Sequence, residues 1–139
     1  MLIGTFEHTV DAKGRINVPA KFREDFGDRF IITRGLDNCV AMYSLEEWKL
    51  WEDKLKAQPD SKARNLKRFF FAGAAEVEPD KQGRIVVPPI LRKYACLDQK
   101  VVVIGAVDRA EIWDADRWYA SDAQMTSDAM AEEMDNLNV

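Results

Sequence analysis

This sequence predicts a mostly β protein with helices, an α+β fold made from two internal repeats with pseudo-two-fold symmetry. Gly4, Glu7, Asp11, Gly14, Arg15, Ile16, Val18, Pro19 and Arg23 recur sixty-nine positions later as Gly73, Glu76, Asp80, Gly83, Arg84, Ile85, Val87, Pro88 and Arg92. After a slip of one or two residues the likeness resumes, and Asp37, Tyr43 and Trp48 answer to Asp108, Trp113 and Trp118. Short runs of alternating or wholly apolar residues, bounded by turn residues, supply the β content. Two copies are too few for a solenoid, so they predict one body with a symmetry axis rather than an array.

The first copy opens on Thr5-Phe6-Glu7-His8-Thr9-Val10, which leads into Asp11-Ala12-Lys13-Gly14. The second runs Ala75-Glu76-Val77-Glu78-Pro79 into Asp80-Lys81-Gln82-Gly83. An Asp side chain bonds its own downstream amides in a turn, and Gly enters the left-handed region at no steric cost. Asp-x-x-Gly between two strand-like runs therefore predicts a hairpin loop, with Asp11, Gly14, Asp80 and Gly83 serving turn geometry. The return strand Arg15-Ile16-Asn17-Val18 alternates, so Ile16 and Val18 should face inward and Arg15 outward. Ile85, Val87 and Arg84 repeat that arrangement. Each arginine is thus expected on an outer surface, one residue past a hairpin tip.

Pro19 and Pro88 mark the first turn of a short helix, where a missing amide proton costs nothing. Phe22 and Phe26 lie four apart on one face of it, matched by Leu91 and Ala95. Apolar strands follow at Phe30-Ile31-Ile32-Thr33 and Val101-Val102-Val103-Ile104. Turns at Asp37 and Asp108 lead to strands ending at Tyr43 and Trp113. Ser44 and Glu47 form a capping box for a helix whose apolar stripe is Leu45, Trp48, Trp51 and Leu55. Gln58-Pro59-Asp60-Ser61 stops it. A second helix, roughly 61–72, carries Lys62, Arg64, Lys67 and Arg68 beside Leu66 and Phe69 to Phe71. Asp114 is expected to cap the final helix, whose end from Asp128 onward is acidic. The units expected are therefore a first module at 5–47, connecting helices at 45–72, a second module at 74–118 and an acidic helix or tail at 119–139, folded as one body without a low-complexity linker.

With 47% apolar and 32% charged residues, the chain has the make-up of an ordinary soluble domain. No apolar run approaches the roughly eighteen residues of a membrane span, so a cytoplasmic protein with no membrane partner is expected. The net charge of −4 hides an uneven distribution, since residues 108–139 carry −7 and residues 1–107 carry +3. An acidic segment beside a basic body fits a protein with one localised positive face, and fits a plain solvated helix equally well. Cys39 and Cys96 do not occupy matching places in the repeats, which favours buried free thiols over a disulfide or metal pair.

An enzyme lacks its parts here. His8 is the single histidine, replaced by Val77 in the second copy, and alternation beside Phe6 makes it a half-buried strand residue. Metal hydrolysis and Ser-His or Cys-His catalysis therefore find no constellation, no metal or cofactor is expected, and neither phosphate-binding glycine motif is present. The doubled Asp-x-x-Gly-Arg is the sharp signal. Its arginines could pair with a nearby acid; equally, two outward guanidiniums on symmetry-related tips suit phosphates or guanine edges. The basic helix Lys62–Arg68 reads better as a solvated face or subunit contact than as a direct DNA contact.

Asp11-x-Lys-Gly-Arg-Ile-x-Val-Pro, repeated as Asp80-x-x-Gly-Arg-Ile-Val-Val-Pro, resembles the swapped-hairpin module of the SpoVT/AbrB type. Two such modules joined through Arg64-Asn-Leu-Lys-Arg-Phe-Phe-Phe-Ala-Gly are similar to the MraZ family of bacterial transcriptional regulators, over nearly the whole chain up to about Trp118. The resemblance implies a double-split β-barrel of swapped-hairpin AbrB type, a homo-oligomeric ring of several protomers, nucleoid association, and binding to double-stranded DNA at short repeats upstream of the division and cell-wall gene cluster. Carried over residue by residue, it implies DNA contacts by Arg15, Arg84, Lys13, Lys21, Arg23, Lys81 and Arg92. Gln82 stands where the first copy has Lys13, and Ile90 where it has Lys21, so the N-terminal module is expected to make the main contact. A rival from another class is an antitoxin-like interaction module that uses the acidic segment after Trp118 as an arm for a protein partner.

Overall fold

The computed structural model describes residues 1–139, which form eight strands and six helices in two matching series. The first series is β1 (Thr5–Thr9), β2 (Arg15–Asn17), α1 (Ala20–Phe26), β3 (Phe30–Arg34), β4 (Val40–Ser44), α2 (Leu45–Lys56) and α3 (Asp60–Phe71). The second is β5 (Ala75–Val77), β6 (Arg84–Val86), α4 (Pro89–Tyr94), β7 (Lys100–Gly105), β8 (Ala110–Asp114), α5 (Ala115–Gln124) and α6 (Ser127–Leu137).

The expected hairpins are not where the strands pair. A backbone bond from Asp11 N–H to the Arg15 carbonyl closes the first turn at 3.0 Å, yet β1 runs antiparallel to β7 and β2 to β6. β5 likewise pairs with β3, in the other half. Six strands make one antiparallel sheet in the order β1-β7-β8-β4-β3-β5, and β2 with β6 makes a separate two-stranded ribbon. Exchanging the two repeats reverses that order onto itself, so the pseudo-axis passes between β4 and β8. It also passes through the ribbon's centre, where Ile16 faces its own counterpart Ile85.

This interleaving follows from where the apolar residues can be buried. Ile16, Val18, Ile85 and Val87 join Phe22, Leu91, Phe30, Ile32, Val101 and Ile112 in one core shared by both repeats. The ribbon, α1 and α4 cover one face of the sheet, and Phe22 meets Phe6 edge to face at 5.3 Å. Full burial of a side chain such as Phe22 or Phe30 is worth about 1.5–3 kcal/mol, more than the net ~1 kcal/mol of a single ladder bond.

Helices cover the other face. Ser44 Oγ accepts from the Glu47 amide at 3.1 Å, the backbone-capping half of the expected box, and of the stripe Leu55 is buried, Trp48 and Trp51 half-buried and Leu45 exposed. α3 is fastened to β3 by Thr33 Oγ1 donating to the Phe70 carbonyl and by Arg34, which donates to the Phe69 carbonyl at 3.0 Å and lies over the Phe69 ring. Asp114 caps α5 through the Arg117 amide at 3.2 Å. The chain does not continue as one helix: it breaks at Met125, and Thr126 caps a separate α6, which has no buried residue. Pro19 and Pro88 sit at the N-cap, one residue before the expected first turn. Both cysteines are free; Cys39 is buried, but Cys96, two residues past the end of α4 at a left-handed φ of 57°, is exposed. No helix is long and apolar enough to cross a membrane.

Candidate nucleic-acid interface

The two Asp-x-x-Gly-Arg turns are built alike. Asp11 Oδ1 accepts from the Lys13 and Arg15 amides, each at 2.9 Å, and Oδ2 accepts from Arg15 Nε at 2.7 Å. Asp80 does the same with the Gln82 and Arg84 amides and with Arg84 Nε, all at 2.9 Å. The Arg15 amide, more than its guanidinium, holds the Asp11 carboxyl at about 2, well below the usual range, and the Arg84 amide lowers Asp80 in the same sense. Both carboxylates stay ionised at neutral pH. The arginines are accordingly not loose outward side chains: each is half-buried and tethered at Nε, which fixes the plane of the guanidinium and leaves its two Nη groups for an external acceptor. Both readings of these arginines are therefore compatible, since the carboxylate uses one edge and spares the other.

Each turn is completed by the opposite repeat. Gly14 has φ 76°, and a Cβ there would stand 2.8 Å from the Arg92 guanidinium carbon. Gly83 has φ 80°, and its Cβ would stand 2.8 Å from that of Arg23. The Gly14 carbonyl accepts from the Val87 amide and the Gly83 carbonyl from the Val18 amide, at 3.0 and 2.8 Å. Arg92 is held further by Nε donating to the Val87 carbonyl at 2.9 Å. Arg23 thus belongs to the second turn and Arg92 to the first, which the sequence order of the modules conceals.

Lys13 and Lys81 are exposed on the turns, and Lys21 is exposed on α1. Between the turns the ribbon presents one outward face. Register places Arg15 opposite Val86 and Asn17 opposite Arg84, while Ile16 and Ile85 point into the core. Asn17 and Val86 are exposed and were absent from the sequence-based site; the alternation of Arg15-Ile16-Asn17-Val18 was the signal that could have found them. Arg23 shares a shallow depression with Glu78, Asp28 and Asp80. The basic helix α3 lies on the opposite face of the six-stranded sheet, so Lys62, Arg64, Lys67 and Arg68 are not part of this surface.

His8 is half-buried, burial lowers its pKa, and its Nε2 has no partner. No group of three or more His, Cys, Asp or Glu is placed to hold a metal ion.

The family model described as "MraZ protein, putative antitoxin-like" matches the chain twice, over residues 1–69 and 70–138. The chain is 51% identical to a protein of Acetivibrio thermocellus and 50% identical to one of Alkaliphilus metalliredigens, in both cases over the full length of each chain. A protein of Carboxydothermus hydrogenoformans is 49% identical over 96% of each chain. All three carry the name transcriptional regulator MraZ.

Proposed function

The chain belongs to the MraZ family, and on that premise we propose that it is a sequence-specific DNA-binding transcriptional regulator rather than an enzyme. The observation that carries this reading is the outward face of the β2–β6 ribbon, where Arg15 and Arg84 are held at Nε by their own turn carboxylates with their Nη groups unspent. A two-stranded ribbon fits the major groove, about 12 Å wide, and an oriented guanidinium makes the bidentate contact that guanine accepts. Lys13, Lys81, Lys21, Arg23 and Arg92 surround that face as phosphate contacts, which position the protein without reading sequence.

The finer reading is a double-split β-barrel of the swapped-hairpin type that assembles into a ring in the cytoplasm and associates with the nucleoid. Its operator consists of short repeats upstream of the division and cell-wall genes, including its own. One protomer offers only a few phosphate contacts, and a ring makes later contacts intramolecular, raising avidity by about 10² to 10⁴ when operator and subunit spacing agree. Avidity reconciles binding with a pI of 5.1.

A gel-shift titration on the DNA upstream of the gene, over a salt series and against shuffled DNA, tests the reading. Specific, salt-sensitive shifts that Arg15→Ala abolishes while assembly is retained support it; no preference over shuffled DNA overturns it. A second reading rests on α6, which is acidic and has no buried residue: an arm for a basic protein partner. Loss of a co-purifying protein on removal of residues 121–139, without change in DNA binding, favours that reading.

A further inference from the structure

The ribbon's outward face is symmetric in its arginines and asymmetric in everything else. Arg15 and Arg84 are counterparts, but the residue facing Arg84 is Asn17 and the residue facing Arg15 is Val86. Asn17 and Val86 occupy equivalent places in the two repeats. Both are exposed, Val86 by 53%, and Asn17 takes part in none of the side-chain hydrogen bonds of the turns it adjoins. Asn is depleted in strands, and Val is favoured there, so the sheet itself has no use for Asn at this place. The fold accounts for Ile16, Ile85, Asp11, Asp80 and the glycines; it does not account for Asn17.

We propose that Asn17 and Val86 are base-reading residues that give the ribbon a direction on DNA, an inference that rests on the DNA-binding reading above. Side chains two apart on one strand lie about 6.6–6.8 Å apart, close to two base-pair steps of about 3.4 Å. Arg15 and Asn17 therefore address positions two steps apart from one strand, as do Arg84 and Val86 from the other. The chemistry at the two ends is distinct. Beside Arg84, the Asn17 carboxamide both donates and accepts, matching the N6 and N7 edge of adenine. Beside Arg15, the Val86 methyls have no hydrogen-bonding capacity and match the thymine 5-methyl group. With Val at both places, or Asn at both, the face would be two-fold symmetric and would read a palindromic element in either orientation. The actual face reads one orientation.

The test is selection of binding sites from a randomised duplex library by the full-length protein, by Asn17→Val and by Val86→Asn, each variant verified for fold by circular dichroism and melting. Both positions are exposed, so folding is expected to be unaffected. Wild type should enrich an asymmetric element. N17V should lose the adenine preference at one position by roughly 5- to 150-fold, with salt dependence and non-specific affinity within about twofold of wild type. V86N should gain an adenine preference at the pseudo-symmetric position and select an element closer to a palindrome. If all three proteins enrich the same element, the assignment of Asn17 and Val86 is overturned while the DNA-binding reading stands. If wild type enriches nothing, both fall.

Discussion

At the first turn Lys13 precedes the glycine, Arg92 backs it, and Thr9 stands two residues ahead of the aspartate; at the second, Gln82, Arg23 and Glu78 take those places. The backbones are otherwise the same, bond for bond, from the Asp Oδ1 pair of amides to the arginine Nε. Everything required to form the turn is duplicated. What differs is the charge around it: Glu78 and Asp28 line the depression that holds Arg23. Acids in the same depression as Arg23 offset part of that cation's pull on a phosphate, and less so as salt rises. The difference teaches that the two halves share a scaffold for arginine and have diverged in the charges set around it.

The largest test of that comparison is Arg15→Ala against Arg84→Ala. Loss of a bidentate base contact costs about 1–3 kcal/mol, so Arg15→Ala should lower operator affinity by roughly 5- to 150-fold. Arg84→Ala should cost several-fold less, because Glu78 and Asp28 already weaken that end. Equal losses in a gel-shift titration at one salt concentration would break the comparison.

Crossed pairs of variants sharpen it next. Gly14→Ala places an ordinary residue at φ 76° and drives its methyl onto Arg92, so a loss of roughly 1–2 kcal/mol and a fall in Tm of about 3–8 °C are expected. Part of that loss should disappear in Gly14→Ala/Arg92→Ala, because the guanidinium in the way is gone. Gly14→Ala/Arg23→Ala should be additive, since Arg23 lies against the other glycine. Coupling to Arg23 in place of Arg92, measured by urea denaturation, would mean that each turn is completed by its own repeat.

That crossing marks the limit of what the sequence discloses. The turns, the inward Ile16 and Ile85, the Ser44 and Asp114 caps and the matching of Phe22 with Leu91 are all local, set by neighbours a few residues away, and can be read directly. The partner of a three-residue strand is not local. Asp-x-x-Gly looks the same whether the strands it joins pair with each other or with another repeat, and the decision falls to burial of Ile16 against Ile85. Once β2 pairs with β6, Arg23 and Arg92 change turns, and no spacing of charges along the chain shows it. The break between α5 and α6 was legible in Thr126, a capping residue placed ahead of a second helical run. Cys96 is exposed at a left-handed position just past α4, which pattern alone does not mark.

Glu78→Thr gives the second turn the residue of the first, and its effect is smaller. Removing one acid near Arg23 should raise DNA affinity about two- to three-fold at low salt and leave it unchanged at high salt, where the interaction is screened. A salt-independent gain would assign Glu78 a packing role instead.

The smallest effect is acid titration of the turn itself. Asp11 has a folded pKa of about 2, below its ordinary value near 3.9, so its contribution is fully present above about pH 4 and is lost as pH falls toward 2. Stability from this group should be flat from pH 7 to 5, because no proton binds there in either state. Asp11→Asn cannot bind the proton at all. The gap between it and the wild type in urea midpoint should therefore be constant at neutral pH and narrow only below about pH 4. Asp80 is lowered by the same amide of its own arginine, so Asp80→Asn should follow the same course. A gap that changed between pH 7 and 5 would show that the carboxylate is not held by the Arg15 and Lys13 amides, and with that the fixed aim of the arginine would be lost.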